Sequence, residues 1–144
     1  MRRCIPLSAV ILGLLALIGG CGTEKPKEVP ATYQNLQAVS RAYMDYTDKQ
    51  NRPPSNREEL MTLLKERGDP ATLLRSADDN EEFVILWNVD YRNPPNPEKG
   101  FPVIAYEKIG KNGKRHVLRV RFIVQLTDEE FKNASFPPGY KWPG

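Results

Sequence analysis

Between His116 and Leu126 the chain alternates: Leu118, Val120, Phe122, Val124 and Leu126 are apolar, while Arg119, Arg121 and Gln125 fall between them. A period of two with one apolar face predicts a strand in a sheet that is dry on one side and wet on the other. Such a sheet cannot stand alone. It needs neighbouring strands and an apolar element laid across its dry face, and those needs limit the architecture of everything else.

The neighbours are readable. Phe83 to Trp87 is a run of β-favouring residues, and Val103 to Lys108 is a second, separated from the alternating stretch by the turn sequence Gly110-Lys111-Asn112-Gly113. The cover is readable too. From Thr32 to Lys49, Leu36, Val39, Tyr43 and Tyr46 are spaced three, four and three apart, with Gln37, Arg41, Asp45 and Asp48 on the opposite side, which predicts an amphipathic helix.

Pro53-Pro54 stops that helix, and Ser55 with Glu58 forms an S-x-x-E start signal for a second helix over Leu60, Leu63 and Leu64 that ends at Gly68. Asp69-Pro70 opens a brief turn of helix through Leu74. Ser76 to Asn80 reads as a polar turn and Asn88 to Gly100 as a loop. Thr127 with Glu130 caps a short helix over Asp128 to Lys132, and Phe136 to Gly144 reads as an extended Pro/aromatic tail. The expectation is an α+β domain, with the N-terminal helix packed on a roughly three-stranded antiparallel sheet.

Composition bears on what holds that domain together. Two cysteines, Cys4 and Cys21, both lie in the first 21 residues, so no disulfide is available to the rest and the fold must stand on its apolar core. The chain carries 21 basic and 18 acidic side chains; without Arg2 and Arg3 the balance is 19 against 18, and nucleic acid is not indicated as a partner.

Arg2 and Arg3 precede a 14-residue apolar segment, Ile5 to Ile18, shorter than the ~20 residues that span a bilayer, and the order reads as an export signal. Ile18-Gly19-Gly20-Cys21 resembles the lipobox of bacterial lipoproteins. That resemblance implies cleavage between Gly20 and Cys21, a diacylglyceryl thioether on Cys21 and acylation of the new N-terminus; an ordinary secretory signal or a single uncleaved anchor is the alternative. The implied organisation is a signal peptide over 1–20, a lipidated cysteine and polar tether over 21–31, a domain over 32–136 and a tail over 137–144. Gly22 stands where a retention aspartate would be, so the resemblance further implies a cell-envelope protein, at the outer membrane if the cell is diderm.

A second resemblance covers residues 32–136. Asn35-Leu36-Gln37-Ala38-Val39, Tyr43-Met44-Asp45-Tyr46, Asn51-Arg52-Pro53-Pro54 and Glu59-Leu60 resemble the helix, turn and second helix of type II secretion major pseudopilins and related type IV pilin-like proteins. Phe83 to Trp87, Val103 to Lys108 and Leu126 to Phe131 resemble their sheet and closing helix. The pattern departs from the family where the lipobox replaces the prepilin site and polymerising helix, and where the C-terminal Asp-Gly and the spaced acidic residues of the calcium loop have no counterpart. Filament formation and calcium binding therefore do not transfer, and what the resemblance implies is a non-catalytic protein-interaction domain with an envelope protein as partner.

Candidate chemistry is sparse. His116, the only histidine, sits on the core-face parity at a strand start, the place of a satisfied structural histidine more than of a catalyst. Asp78, Asp79, Glu81 and Glu82 offer oxygen ligands to a hard cation but lack EF-hand spacing and read first as a solvated turn. Asp90, Glu98, Glu107 and Glu129 are the candidates for a carboxylate pair of the kind that glycoside hydrolysis uses, and their number is ordinary. Arg119 and Arg121, with Lys108 and Arg115, form a possible basic stripe on the wet face. Trp87, Tyr91, Tyr140 and Trp142 are the aromatics able to stack on a sugar or on a partner's prolines, or else to fold over the core. No cofactor or metal is expected. The alternative to a protein-interaction domain is an envelope glycan- or ligand-binding module, with a hydrolase third.

Overall fold

The computed structural model describes residues 28–141; Gly20, Cys21, most of the tether and Trp142 lie outside the described residues. Helix α1 runs Ala31–Gln50, α2 Arg57–Lys65 and α3 Pro70–Leu73. Strands β1 (Val84–Ile85), β2 (Ala105–Tyr106), β3 (Lys114–Arg119) and β4 (Phe122–Thr127) form one antiparallel sheet in the order β1-β2-β3-β4, and α4 (Asp128–Lys132) follows. The chain is α+β with a helix packed on the sheet. Among the described residues no helix is long and apolar enough to cross a membrane.

The helices follow their local signals. Leu36, Val39 and Tyr43 of α1 are fully buried, while Gln37, Arg41 and Asp48 are exposed. The cap of α2 is one residue later than expected: Asn56 accepts from the Glu59 amide, and Ser55 instead binds the Glu59 carboxylate through its own N–H at 2.7 Å. Asp69 caps α3, and Thr127 with Glu130 forms the reciprocal box at the start of α4.

The sheet departs from expectation in one instructive way. The alternating stretch is not one strand but two, reversed by a two-residue turn at Val120 and Arg121. Val120 has φ 56°, a conformation rare for a β-branched residue. No glycine or asparagine marks the turn, and period two continues on both sides of it, so sequence pattern alone cannot separate a long strand from a tight hairpin.

The reversal reassigns the faces. Register partners share a face, so Ile85, Ala105, Leu118 and Ile123 line one side, and Val84, Tyr106, Val117 and Val124 the other. Phe122, expected on the core face beside Leu118, is instead paired with Arg119 and is 59% exposed.

Both faces are covered, which corrects the expectation of a wet one. Helix α1 packs on the Leu118 side, where the Ser40 hydroxyl donates to the Val120 carbonyl at 2.5 Å and holds the turn. On the other side Phe131 of α4 meets Tyr106 at 4.7 Å and Phe136 at 5.1 Å between ring centroids, and Phe136 stacks on Tyr140 at 5.0 Å. The described part of the tail, through Tyr140, is thus folded back over the sheet, the arrangement named above as the alternative to stacking on a ligand. Ordered strand pairing is also shorter than the apolar runs suggest, two residues each in β1 and β2.

Candidate functional site

Two places gather the residues that the sequence singles out. The first is a polar cluster between the N-terminal end of α1 and the sheet. Glu107 follows β2 and shares a face with His116, because the Glu107 N–H donates to the His116 carbonyl across the strand pair at 3.0 Å. Its side chain is 1% exposed. Carboxylate Oε2 accepts from the His116 backbone N–H at 2.6 Å and lies 2.9 Å from His116 Nδ1, while Oε1 accepts from the Ser76 hydroxyl at 2.5 Å. Ser76 in turn lies 3.4 Å from the Thr32 hydroxyl of α1. Helix, turn and two strands are joined through one buried carboxylate.

Burial alone would raise the Glu107 pKa, but the hydrogen bonds from the His116 ring, Ser76 and the His116 N–H outweigh it and hold the group below the usual glutamate value. His116 is held above its ordinary value, first by the hydrogen bond to Glu107, against the opposing effect of burial. Asp78 adds a second carboxylate, with Oδ2 3.5 Å from Nδ1.

Asp78, Glu107 and His116 each present one potential metal-ligand atom, all within 4.8 Å of one another. Ligands sharing a tetrahedral ion at ~2.0–2.1 Å stand about 3.3 Å apart, whereas the Nδ1 to Oε2 separation of 2.9 Å is that of a hydrogen bond. Both oxygens of Glu107 already take donors, which is how a buried carboxylate is satisfied by protons alone. The Gln125 amide lies 3.0 Å from Nε2, so the second ring nitrogen is also engaged. His116 is the third residue of β3 and has a partner at each ring nitrogen, and those partners were hidden because they come from a distant turn, from the register of β2 and from β4 beyond the reversal.

The other acidic candidates are dispersed. Asp79 accepts from the Ile109 and Gly110 amides, Glu81 pairs with Lys108 and Glu82 with Arg57. Asp90 binds Arg92 and Asn93, Glu98 sits on an exposed 3-10 turn (Pro97–Lys99), and Glu129 is exposed on α4.

The basic stripe is not formed. Arg115 is buried, lies 4.7 Å over the Phe131 ring and bonds Asp128 at 2.5 Å and the Lys108 carbonyl at 3.0 Å. Arg119 is half-buried, and of the four only Arg121, at the turn, and Lys108, which pairs with Glu81, are exposed.

The second place is aromatic. Trp87, just beyond β1, and Tyr140, in the folded-back tail, border one open groove of about 540 Å³ together with Val84, Ile85, Pro137 and Pro138. Tyr140 is anchored through its hydroxyl to the buried Tyr106 hydroxyl. Trp87 also borders a neighbouring hollow with Arg57, Leu74 and Phe83. Tyr91 does not join them: it is half-buried, and its pKa is raised first by that burial and then by Asp48 at the end of α1. Of the four candidate aromatics, two line one groove, one packs elsewhere and Trp142 lies outside the described residues.

No family model, curated protein or solved structure matches this chain.

Proposed function

We propose that this chain is a non-catalytic, lipid-anchored cell-envelope protein that works by binding another envelope protein. The observation that carries the reading is the groove between Trp87 and Tyr140, an aromatic and proline-lined trough beside the β1 edge of the sheet. Rigid aromatic side chains supply large contact area at little entropy cost, and they suit an extended, proline-bearing segment. The lipobox-like Ile18 to Cys21 and the polar tether supply the anchor; two or more acyl chains make membrane residence stable. Tethering raises the effective concentration of a weakly binding domain near its partners. The likeness of residues 32–136 to pseudopilin-like domains supports the same reading, and the Gly22 position supports the outer membrane of a diderm cell.

The binding reading stands above a hydrolase because both ring nitrogens of His116 are committed inside the fold, one to Glu107 and one to Gln125. The alternative occupant of the groove is an envelope glycan, since Trp87 and Tyr140 also suit a sugar face. A photo-crosslinking amino acid placed at position 87 or 140 in the membrane-bound chain is expected to give a discrete adduct with one envelope protein, absent from a control at exposed Lys65. Failure of both positions to exceed the control overturns the reading. Retention on envelope glycan that Trp87→Ala abolishes moves the assignment to the ligand module.

A further inference from the structure

Strand β4 is an edge of the sheet, and its free side has the character of an interface. The two-residue turn makes Arg119 and Phe122 the closing hydrogen-bonded pair, so Val117 with Val124 and Arg115 with Leu126 follow in the ladder. The complementary residues of β3 confirm the phase: His116 and Leu118 turn their carbonyls toward β2, accepting from Glu107 and Ile104. The backbone groups of Ile123 and Gln125 therefore point off the sheet, and among the described residues they take no backbone partner. Free edges are usually defended by a charge, a proline or a bulge. Phe122-Ile123-Val124-Gln125-Leu126-Thr127 has no charged residue and no proline, and it pairs with β3 without a bulge.

We propose that two copies of this chain pair antiparallel through β4 about a two-fold axis at Val124, making one continuous eight-stranded sheet. The segment is self-complementary in that register. Ile123 of each copy stands opposite Gln125 of the other, and each such pair exchanges both of its outward N–H···O=C bonds. On the Val117 face, Phe122 of each copy meets Leu126 of the other, and Val124 meets Val124. Every side chain of that row is matched with an apolar one, and Phe122, otherwise 59% exposed beside the 44% exposed Phe101, gains a partner.

The end charges select the same arrangement. Arg121 precedes the strand and Asp128 follows it, both exposed. Antiparallel pairing brings Arg121 of one copy to Thr127 and Asp128 of the other, whereas in-register parallel pairing sets arginine beside arginine. An isologous contact of this kind closes at two copies and leaves no further β4 edge to extend. It uses the edge opposite β1, so it is independent of the Trp87 groove.

The register can be tested by cysteine substitution in the full chain, with the unsubstituted chain as control for Cys4 and Cys21. At a two-fold position between hydrogen-bonded pairs the Cα atoms stand about 4.5 Å apart, within disulfide reach. Val124→Cys is expected to cross-link to itself on mild oxidation. Ile123→Cys alone is expected to do so far more slowly, and to cross-link instead when mixed with Gln125→Cys. Sedimentation of the unsubstituted chain is expected to show a concentration-dependent dimer. Phe122→Lys, at an exposed site that leaves each copy folded, removes two cross-strand pairs at once and is expected to weaken the dimer about tenfold. A chain that sediments as a monomer up to millimolar concentration, or Val124→Cys that cross-links no faster than Lys132→Cys, overturns the proposal. Groove adducts at position 87 that persist in Phe122→Lys keep the two proposals separable.

Discussion

Replacing Glu107 with glutamine changes one oxygen for an NH2 group, and the surroundings of that carboxylate set the consequence. Oε1 takes the Ser76 hydroxyl at 2.5 Å, and Oε2 takes the His116 N–H at 2.6 Å with Nδ1 at 2.9 Å. Turned toward His116, its NH2 meets a backbone N–H that can only donate; turned toward Ser76, it meets a hydroxyl that already accepts from the Asp78 N–H and loses the acceptor for its own proton. A hydrogen bond to a charged group contributes about 1.5–3 kcal/mol, and removing one member of a buried pair costs about 3–5 kcal/mol because the other is left without compensation. Glu107→Gln is thus expected to lose about 3–5 kcal/mol of unfolding free energy near pH 6.

The loss should depend on pH, with a definite sign. The folded His116 pKa lies above the unfolded ~6.5, so its contribution is complete below that value and is lost as pH rises through the folded pKa. The folded Glu107 pKa lies below the unfolded ~4.3, so its contribution is complete above that value and fades as pH falls through the folded one. Native stability should peak between these limits, then decline by up to about 1.4 kcal/mol per pH unit above pH 6.5 until His116 has lost its proton in the folded state. Urea unfolding followed by tryptophan fluorescence from pH 3 to 9 reads both effects. A Glu107→Gln deficit below about 1 kcal/mol, or a native curve as flat above pH 6.5 as that of the variant, refutes the reasoning.

Other expectations are narrower. Ser40→Ala removes the hydroxyl that holds the Val120 carbonyl at the strained turn and should cost about 1–2 kcal/mol in the same assay, whereas a neutral result would mean the turn needs no support from α1. Glu59, gripped first by the Arg52 side chain and then by the Ser55 N–H, should titrate at about 2 by carbon-detected NMR; Arg52→Gln should move it up toward the ordinary range, and an unmoved titration would contradict the assignment of cause.

How much of this was legible in the chain depended on distance along it. The α1 stripe, the Asp69 cap and the Thr127/Glu130 box are local patterns, and each appears where its residues predict. Turn chemistry without its usual residues was not legible: Val120-Arg121 reverses the chain with neither glycine nor asparagine, and that one event moved Phe122 to the surface, while Arg115 keeps its expected face and is buried there because Phe131 of α4 covers it. The parity of His116 was readable, but its partners were not, since Ser76 and Glu107 reach it only through tertiary packing. The same holds for Trp87 and Tyr140, which lie far apart in sequence and border one groove because the tail folds back through Phe131 and Phe136.

The reading of this chain as an envelope tether with a binding domain turns on residue 21. Intact-mass spectrometry of the chain extracted from membranes measures it directly: the account predicts a polypeptide beginning at Cys21 and heavier than its sequence by a diacylglyceryl group with or without an N-acyl chain. A polypeptide that retains residues 1–20, or one whose Cys21 carries no lipid, contradicts it.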